Sequence, residues 1–182
     1  MDEVAISMES VAYAELHCHT NYSFQEGASW AHELLDKAVE LGYEALAITD
    51  HDNLCGAMEF SKIAIRKGIH GIIGAELTLD EGGHITLLVE NQTGYANLCN
   101  LISLAHGCDG TSNWRDQLRR EPKIVPSLLY QHHEGLILLT GCRRSAMARL
   151  VAQERSSEAM MLLNEYRNHF GEENVFVEIQ QN

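Results

Sequence analysis

The histidines, carboxylates and one thiol of this chain recur at positions that suit the binding of divalent metal ions. His17 and His19 are separated by one residue and follow the apolar run of residues 11–16. Side chains two positions apart point to the same side of an extended segment. Because borderline divalent metals prefer imidazole, carboxylate and thiolate ligands, these two histidines could bind one ion.

Similar residue types follow three further apolar runs and precede a fourth. In chain order these are Asp50, His51 and Asp52, then Glu76, then His84 at the start of its run, and finally Cys142. Each one taken alone has an ordinary interpretation as a capping, surface or packing residue. Their recurrence at successive runs favours a shared metal site. The histidines that lie elsewhere are interpreted as surface or capping residues: His32, His70, His106, His132, His133 and His169.

Short β strands that alternate with helices are the elements that must position these residues. Strands are predicted at 11–16, 45–49, 69–75, 84–90, 136–140 and 175–179. Ser29 is the expected N-cap of the first helix, and a helix from Gly56 is expected to end at Gly68. A further helix is expected over 145–170, with a break near Ser156. The alternation indicates a mostly parallel sheet covered by helices, with chemistry at the C-terminal ends of the strands.

Composition and charge exclude several classes of protein. The 182 residues are 45% hydrophobic, which excludes a disordered or collagen-like chain. The 26 acidic and 13 basic residues give a net charge of −13, which argues against a stand-alone nucleic-acid clamp. The five cysteines form no Cys-x-x-Cys pair, and no apolar run approaches the roughly 18 residues of a membrane span. We therefore expect one domain over residues 1–182, without a membrane span, in the reducing cytoplasm.

Several segments of the chain together resemble the polymerase and histidinol phosphatase (PHP) domain. The successive motifs are 15–23 (ELHCHTNYS), 47–52 (AITDHD) and 71–76 (GIIGAE). Two later segments, 84–91 (HITLLVEN) and 134–143 (EGLILLTGCR), are similar to the PHP domain at the N terminus of bacterial DNA polymerase III alpha subunits. Within that group the error-prone, DnaE-type branch is the most similar. The resemblance covers nearly the whole chain.

The resemblance implies an α/β fold, a distorted TIM-like (β/α)7 barrel with two or three divalent metal ions (zinc, manganese or iron) at its mouth. It transfers metal-ligand positions to His17, His19, Glu26, His51, Glu76, His84 and Cys142. Four of these are the expected catalytic residues: His17, His19, His51 and Glu76. Glu26 stands where the family usually has aspartate, and Glu76 is expected to bridge two ions. Asp50 and Asp52 are candidates for orienting the imidazoles.

The family's final Asp-x-His motif and last strand–helix units would follow the strand near Ile179, whereas this sequence ends at Asn182. We therefore expect a single PHP domain whose barrel is incomplete at its C-terminal end, with an open strand edge. A second copy of the chain or a partner is expected to cover that edge. The irregular stretch 106–123 contains Trp114 and Arg115, a weak candidate for stacking on a base.

For the function, the resemblance implies metal-dependent phosphodiester hydrolysis, in the form of a 3′–5′ exonuclease that removes misincorporated nucleotides. The expected partner is a DNA 3′ end presented by the remainder of a polymerase. Two alternatives stay open from the residues. One is a structural module of the polymerase that binds metal without turnover, and the other is a small-molecule phosphoesterase. The sequence singles out no general base.

Overall fold

The computed structural model describes residues 13–108 and 121–180. These residues form six strands: β1 (Ala14–Glu15), β2 (Ala45–His51), β3 (His70–Thr78), β4 (His84–Val89), β5 (Leu136–Leu139) and β6 (Val175–Phe176). They also form six α helices: α1 (Ala31–Glu40), α2 (Ala57–Lys67), α3 (Gln92–Ala105), α4 (Pro126–Gln131), α5 (Ala146–Ala152) and α6 (Ser156–Phe170). Trp114 and Arg115 lie outside the described residues. No helix in the described ranges is both long and apolar enough to cross a membrane.

The strands form one curled sheet in the order β1-β2-β3-β4-β5-β6. Strands β1, β2 and β3 are parallel, β4 is antiparallel to both of its neighbours, and β5 and β6 are parallel. The curl brings the two ends of the sheet together, since His17 after β1 contacts Glu178 after β6. The fold is thus a mixed α/β half-barrel, which confirms the predicted incomplete barrel.

Strand β4 is the antiparallel strand in a sheet that is predicted to be mostly parallel. Only residues 79–83 connect it to β3, and a connection this short allows a hairpin but no helical crossover. Gly82 and Gly83 both have positive φ, +87° and +96°, which suits a tight turn. Because β4 runs in the opposite direction, its first residue lies at the same edge as the last residues of β2 and β3.

The two faces of the sheet have different neighbours. The outer face packs against the helices through two clusters of buried side chains. One includes Leu35, Leu46, Ile48 and Phe60, and the other Leu77, Leu87, Leu98, Leu129, Leu138 and Phe170. Burial of each large apolar side chain contributes about 1.5–3 kcal/mol, so these clusters hold the helices on the sheet. The inner face has a small apolar cluster of Ala47, Leu88 and Leu139.

Several element ends differ from the sequence predictions. Helix α1 has Trp30 rather than Ser29 as its N-cap, because the Glu33 carboxylate accepts the Trp30 backbone N–H at 2.7 Å. Strand β6 ends at Phe176, since the next ladder position is replaced by a bond from the Glu178 N–H to the Thr140 hydroxyl. The end of α2 at Gly68 agrees with the prediction. The break predicted near Ser156 lies at residues 153–155, between α5 and α6, and Ser156 is the first residue of α6.

Helix α3 begins against the turn that leads into β5. The Asn91 side chain caps the helix by accepting the Gly94 N–H at 3.1 Å. A Cβ on Gly94 would lie only 1.8 Å from the carbonyl oxygen of Gly135. The absence of a side chain at Gly94 therefore permits the close approach of α3 to this turn.

We expect Gly94→Ala to lower the free energy of unfolding by about 2 kcal/mol or more, because the backbone of the turn would have to move. Helix propensity alone predicts the opposite sign, a gain of up to about 1 kcal/mol. Urea unfolding measures the difference. Thr93→Ala, at the exposed neighbouring position, is the control and should change stability by less than about 0.5 kcal/mol.

Candidate metal centre

The structure brings six of the seven predicted ligands together at the mouth of the half-barrel. His17 and His19 follow β1, His51 ends β2, His84 begins β4, and Cys142 follows β5. Glu76 lies within β3 rather than at its end, because this strand continues to Thr78. It pairs in register with His51 on one side and with Thr86 on the other. Register partners share a face of the sheet, so the carboxylate and the imidazoles project to the inside.

The carboxylate of Glu76 is the centre of this group. Its Oε2 atom lies 2.9 Å from Nε2 of His19, 3.3 Å from Nε2 of His17 and 3.6 Å from Nε2 of His51. Its Oε1 atom lies 2.9 Å from Nδ1 of His84 and 3.7 Å from Sγ of Cys142. Two sets of ligand atoms lie close enough together to hold a metal ion. They are His17, His19 and Glu76, and His51, Glu76 and His84.

Glu26, the seventh predicted ligand, lies at the rim of the cluster. Its Oε2 atom lies 3.4 Å from Nε2 of His51 and 3.9 Å from Nδ1 of His19. Its other oxygen pairs with the Arg144 guanidinium. Burial raises the pKa of Glu26, but the bond from Arg144 and the nearby His51 outweigh it, so the pKa lies below its usual value. The carboxylate is therefore ionised and faces two imidazoles of the cluster.

The two aspartates of the second motif have different roles. Asp52 lies 3.4 Å from Nδ1 of His51 and also accepts the N–H and hydroxyl of Thr78, which agrees with an orienting role. The prediction that Asp50 orients an imidazole is wrong. It accepts the N–H and hydroxyl of Thr20 at 2.7 Å and the hydroxyl of Ser23 at 2.6 Å. Asp50 thus anchors the loop after β1 to strand β2.

Sequence reasoning missed Glu178, which belongs to the same cluster. Its Oε1 atom accepts a hydrogen bond from Nδ1 of His17 at 2.7 Å. The two residues are 161 positions apart, and β6 ends before reaching Glu178, so no local pattern connects them. The only signal in the sequence is an acidic residue near the end of the predicted strand 175–179.

Glu76 is a buried charge that the surrounding imidazoles stabilise. The residue is only 1% exposed. Burial raises the pKa of its carboxyl, but contacts with His17, His19 and His84 outweigh this and hold the pKa far below its usual value. An isolated buried carboxylate would instead become neutral. The carboxylate is therefore ionised at neutral pH.

Two of the imidazoles, those of His17 and His51, are correspondingly easier to protonate in the absence of metal. Burial lowers the pKa of His17, but hydrogen bonds with Glu178 and Glu76 raise it to about 9. The hydrogen bond with Asp52 raises the pKa of His51 despite its partial burial. Without an ion, the His17 imidazolium thus lies between the carboxylates of Glu178 and Glu76.

The donor set fits divalent metal ions. It combines imidazole nitrogens, carboxylate oxygens and a thiol in one place, as borderline metals require. Nε2 of His19 is buried and, within the described part of the chain, has no hydrogen-bond partner. It nevertheless faces Oε2 of Glu76 at 2.9 Å, a contact that lacks the alignment of a hydrogen bond. An ion held by both atoms would use this unpaired nitrogen.

An open cavity of about 760 Å³ leads to the cluster. Its floor includes His17, His19 and Glu76, and its walls are formed by Phe24, Gln25, Glu26, Cys142, Arg143, Arg144 and Gln180, with Cys18. The lining thus includes two guanidinium groups, of which that of Arg144 pairs with Glu26. The cluster is thus accessible to a ligand from solvent.

Comparison with known proteins identifies the family. The PHP domain model matches residues 15–182, so the chain belongs to the PHP domain family. The DNA polymerase III alpha subunit of Treponema pallidum is 36% identical over 95% of this chain, and the error-prone DNA polymerase of Symbiobacterium thermophilum is 36% identical over 88%. The chain spans only 15% and 16% of the lengths of these two relatives. It therefore corresponds to the PHP domain of DNA polymerase III alpha-like proteins.

A solved structure supports the same fold. A protein from Bifidobacterium adolescentis, assigned as a metal-dependent phosphoesterase, superimposes with a TM-score of 0.57. The match covers 92% of this chain and 86% of the other, at 14% sequence identity. At this identity the likeness establishes the fold alone.

In the metal-free protein, we expect the free energy of unfolding to decrease as the pH rises from about 6.5 to about 9. The pKa of His17 in the folded state exceeds its ordinary value, so its protonation stabilises the folded state. This stabilisation is fully present below pH 6.5, the ordinary pKa of histidine, and is lost as the pH rises through about 9. The loss amounts to about 3 kcal/mol at most. Urea unfolding in the presence of EDTA measures it.

His32, exposed on α1, offers a matched control. His32→Gln should retain the pH dependence, whereas His17→Gln should weaken it. A free energy of unfolding that is constant or increases between pH 6.5 and pH 9 would contradict an imidazolium–carboxylate cluster.

Proposed function

We propose that this chain is the metal-dependent phosphoesterase domain of a DNA polymerase III alpha-like protein. We further propose that it hydrolyses phosphodiester bonds at DNA 3′ ends as a 3′–5′ exonuclease. The observation that carries this proposal is the buried Glu76 carboxylate, which faces two groups of imidazoles at the floor of an open cavity. The family membership and the polymerase relatives support the polymerase context.

The proposed ligands are the seven predicted residues, with two or three divalent ions of zinc, manganese or iron. The two oxygens of Glu76 face different partners, Oε2 towards His17, His19 and, at the longer distance of 3.6 Å, His51, and Oε1 towards His84 and Cys142. This division supports a bridging role for Glu76 between two ions. Glu26 reaches the rim and would complete the coordination from the solvent side.

Two imidazoles are held by carboxylates behind them. Glu178 accepts from Nδ1 of His17, and Asp52 lies next to Nδ1 of His51. In both rings Nε2 is consequently the atom that faces Glu76. A carboxylate on the outer ring nitrogen is the usual support of a metal-bound histidine, because it fixes the tautomer and the ring orientation.

Divalent ions in this position would supply an activated water at neutral pH and neutralise the charge of a phosphate. The chain's own residues contribute in other ways. Arg143 and Arg144 offer charged hydrogen-bond donors to a phosphate that enters the cavity. Because Arg144 also pairs with Glu26, the positive charge that locally offsets the net charge of −13 comes mainly from Arg143. Glu178 and Asp52 hold the imidazoles of His17 and His51 in place during the reaction.

A structural role is the second candidate function. Contacts with Glu76, together with the His17–Glu178 bond, connect residues of β2, β3 and β4 with those that follow β1, β5 and β6. This network links the strand ends at the mouth of the half-barrel even in the absence of an ion. The domain could therefore stabilise a polymerase, with or without metal, and carry out no hydrolysis.

Elemental analysis of protein purified without chelator tests the metal site. We expect two or more equivalents of zinc, manganese or iron per chain. Glu76→Gln should lose most of this metal, because a neutral amide offers only one oxygen and no charge to bridge two ions. Glu59→Gln, exposed on α2, is the matched control and should retain the metal. A folded wild-type chain without metal would overturn the proposal.

A 3′-labelled oligonucleotide tests hydrolysis. We expect stepwise loss of nucleotides from the 3′ end by the metal-loaded chain and by Glu59→Gln. Substitution of residues that only support metal ligands typically lowers activity about 10–100-fold. The nuclease activity of the Glu76→Gln variant should fall by more than this. Metal binding without any hydrolysis would favour the structural role. Hydrolysis of small phosphate esters alone would favour a small-molecule phosphoesterase.

The stabilisation by metal should increase with pH, in contrast to the metal-free protein. Ligation requires neutral imidazoles, and the pKa of His17 lies at about 9, so metal binding must release protons. We expect the rise in melting temperature caused by manganese to grow between about pH 6 and about pH 8. Titration calorimetry in two buffers of different ionisation enthalpy counts the protons released. A stabilisation that is independent of pH would argue against ligation by these histidines.

A further inference from the structure

Phe24 is an exposed aromatic residue at the entrance to the candidate metal centre. It is 86% exposed, the most exposed aromatic side chain in the described ranges. It nevertheless lines the cavity that ends at His17, His19 and Glu76. An apolar ring in this position contributes nothing to the buried clusters of the sheet, in contrast to Phe60 or Phe170.

The turn that carries Phe24 is firmly held. On one side, the Ser23 hydroxyl donates to Asp50 and accepts the His51 N–H at 3.0 Å. On the other side, the Gly27 N–H donates to the Ser23 carbonyl at 2.8 Å. A Cβ on Gly27 would lie 1.9 Å from the Thr20 carbonyl oxygen, so the turn is packed tightly against its own base. Phe24 is therefore displayed by a rigid turn.

The same turn has one residue in a strained conformation. Gln25 has φ of +68°, a value that non-glycine residues adopt uncommonly. This backbone conformation lets Phe24 remain outside while the next residue, Glu26, points back towards His51 and His19. One turn thus supplies both a rim carboxylate and an exposed ring.

The same cavity also has the complementary chemistry. Arg143 and Arg144 line it, together with the amide of Gln180, and Arg144 pairs with Glu26 of the turn that carries Phe24. Guanidinium groups bind phosphate oxygens, and an aromatic face stacks on a nucleobase of any identity. A ring and two guanidinium groups around one cavity match a nucleotide, which has both a base and a phosphate.

We propose that Phe24 stacks on the base of the terminal nucleotide while the phosphate of that nucleotide faces the metal centre. The substrate class is accordingly a nucleic-acid end that has a base, rather than a small phosphate ester. This inference rests on the proposed function, since it assigns the substrate of the same site. Phe24 is a specificity-determining residue that contacts the base and not the reacting phosphate.

Binding of two oligonucleotides tests this assignment without hydrolysis. The first is fluorescein-labelled oligothymidylate, and the second is identical except that its 3′-terminal residue lacks the base. Fluorescence anisotropy in the presence of EDTA measures both dissociation constants. We expect the wild-type chain to bind the first roughly tenfold more tightly, as expected for stacking of one base on an aromatic ring.

Three variants separate stacking from other effects. Phe24→Ala should abolish the preference for the terminal base, and Phe24→Trp should retain it. Trp30→Ala, which removes an exposed aromatic outside the cavity, should leave the preference unchanged. Equal binding of the two oligonucleotides by the wild type would overturn the assignment, as would an unchanged preference in Phe24→Ala. A base preference that persists in a chain without nuclease activity would refute the proposed hydrolysis but not the role of Phe24.

Discussion

The buried, ionised carboxylate of Glu76 is the constraint on which the rest of the site depends. A carboxylate removed from water is costly unless charges and donors surround it. Here the surrounding groups come from after β1, from β2, from β4 and from after β5, so several strands must meet at one point. A slip of one residue between β2 and β3 would turn His51 to the outer face. The register of the sheet and the neutralisation of Glu76 thus depend on each other.

The same imidazoles can neutralise Glu76 in two ways that exclude each other. As imidazolium groups they pair directly with the carboxylate, and as neutral rings they could hold an ion that takes over the positive charge. His17 shows this competition most clearly. Its raised pKa favours the imidazolium, whereas its hydrogen bond to Glu178 is compatible with both the imidazolium and a neutral ring that binds an ion. A domain built in this way keeps its strand ends linked at the mouth with or without metal. This property suits a scaffold as well as a catalyst.

Much of the site could be predicted because its signals are local. Side chains alternate with a period of two in an extended segment, which predicts that His17 and His19 lie side by side. His51 is predicted to lie near them because the C-terminal ends of parallel strands meet at one edge of the sheet. His84 joined them because the Gly82–Gly83 turn reverses β4.

Other features depended on the tertiary structure. Asp50 precedes His51 by one residue, so the same period of two placed it on the opposite face, where it anchors the Thr20 loop. Glu178 had no local signal because its contact with His17 exists only once the sheet has curled. In an acidic chain, the proposed recognition of a nucleotide would rest on groups at short range, since screening limits charge repulsion to about 8 Å at physiological salt. Phe24, Arg143 and Arg144 lie on the cavity walls within reach of a bound ligand, so they can outweigh the repulsion that the net charge of −13 exerts from farther away.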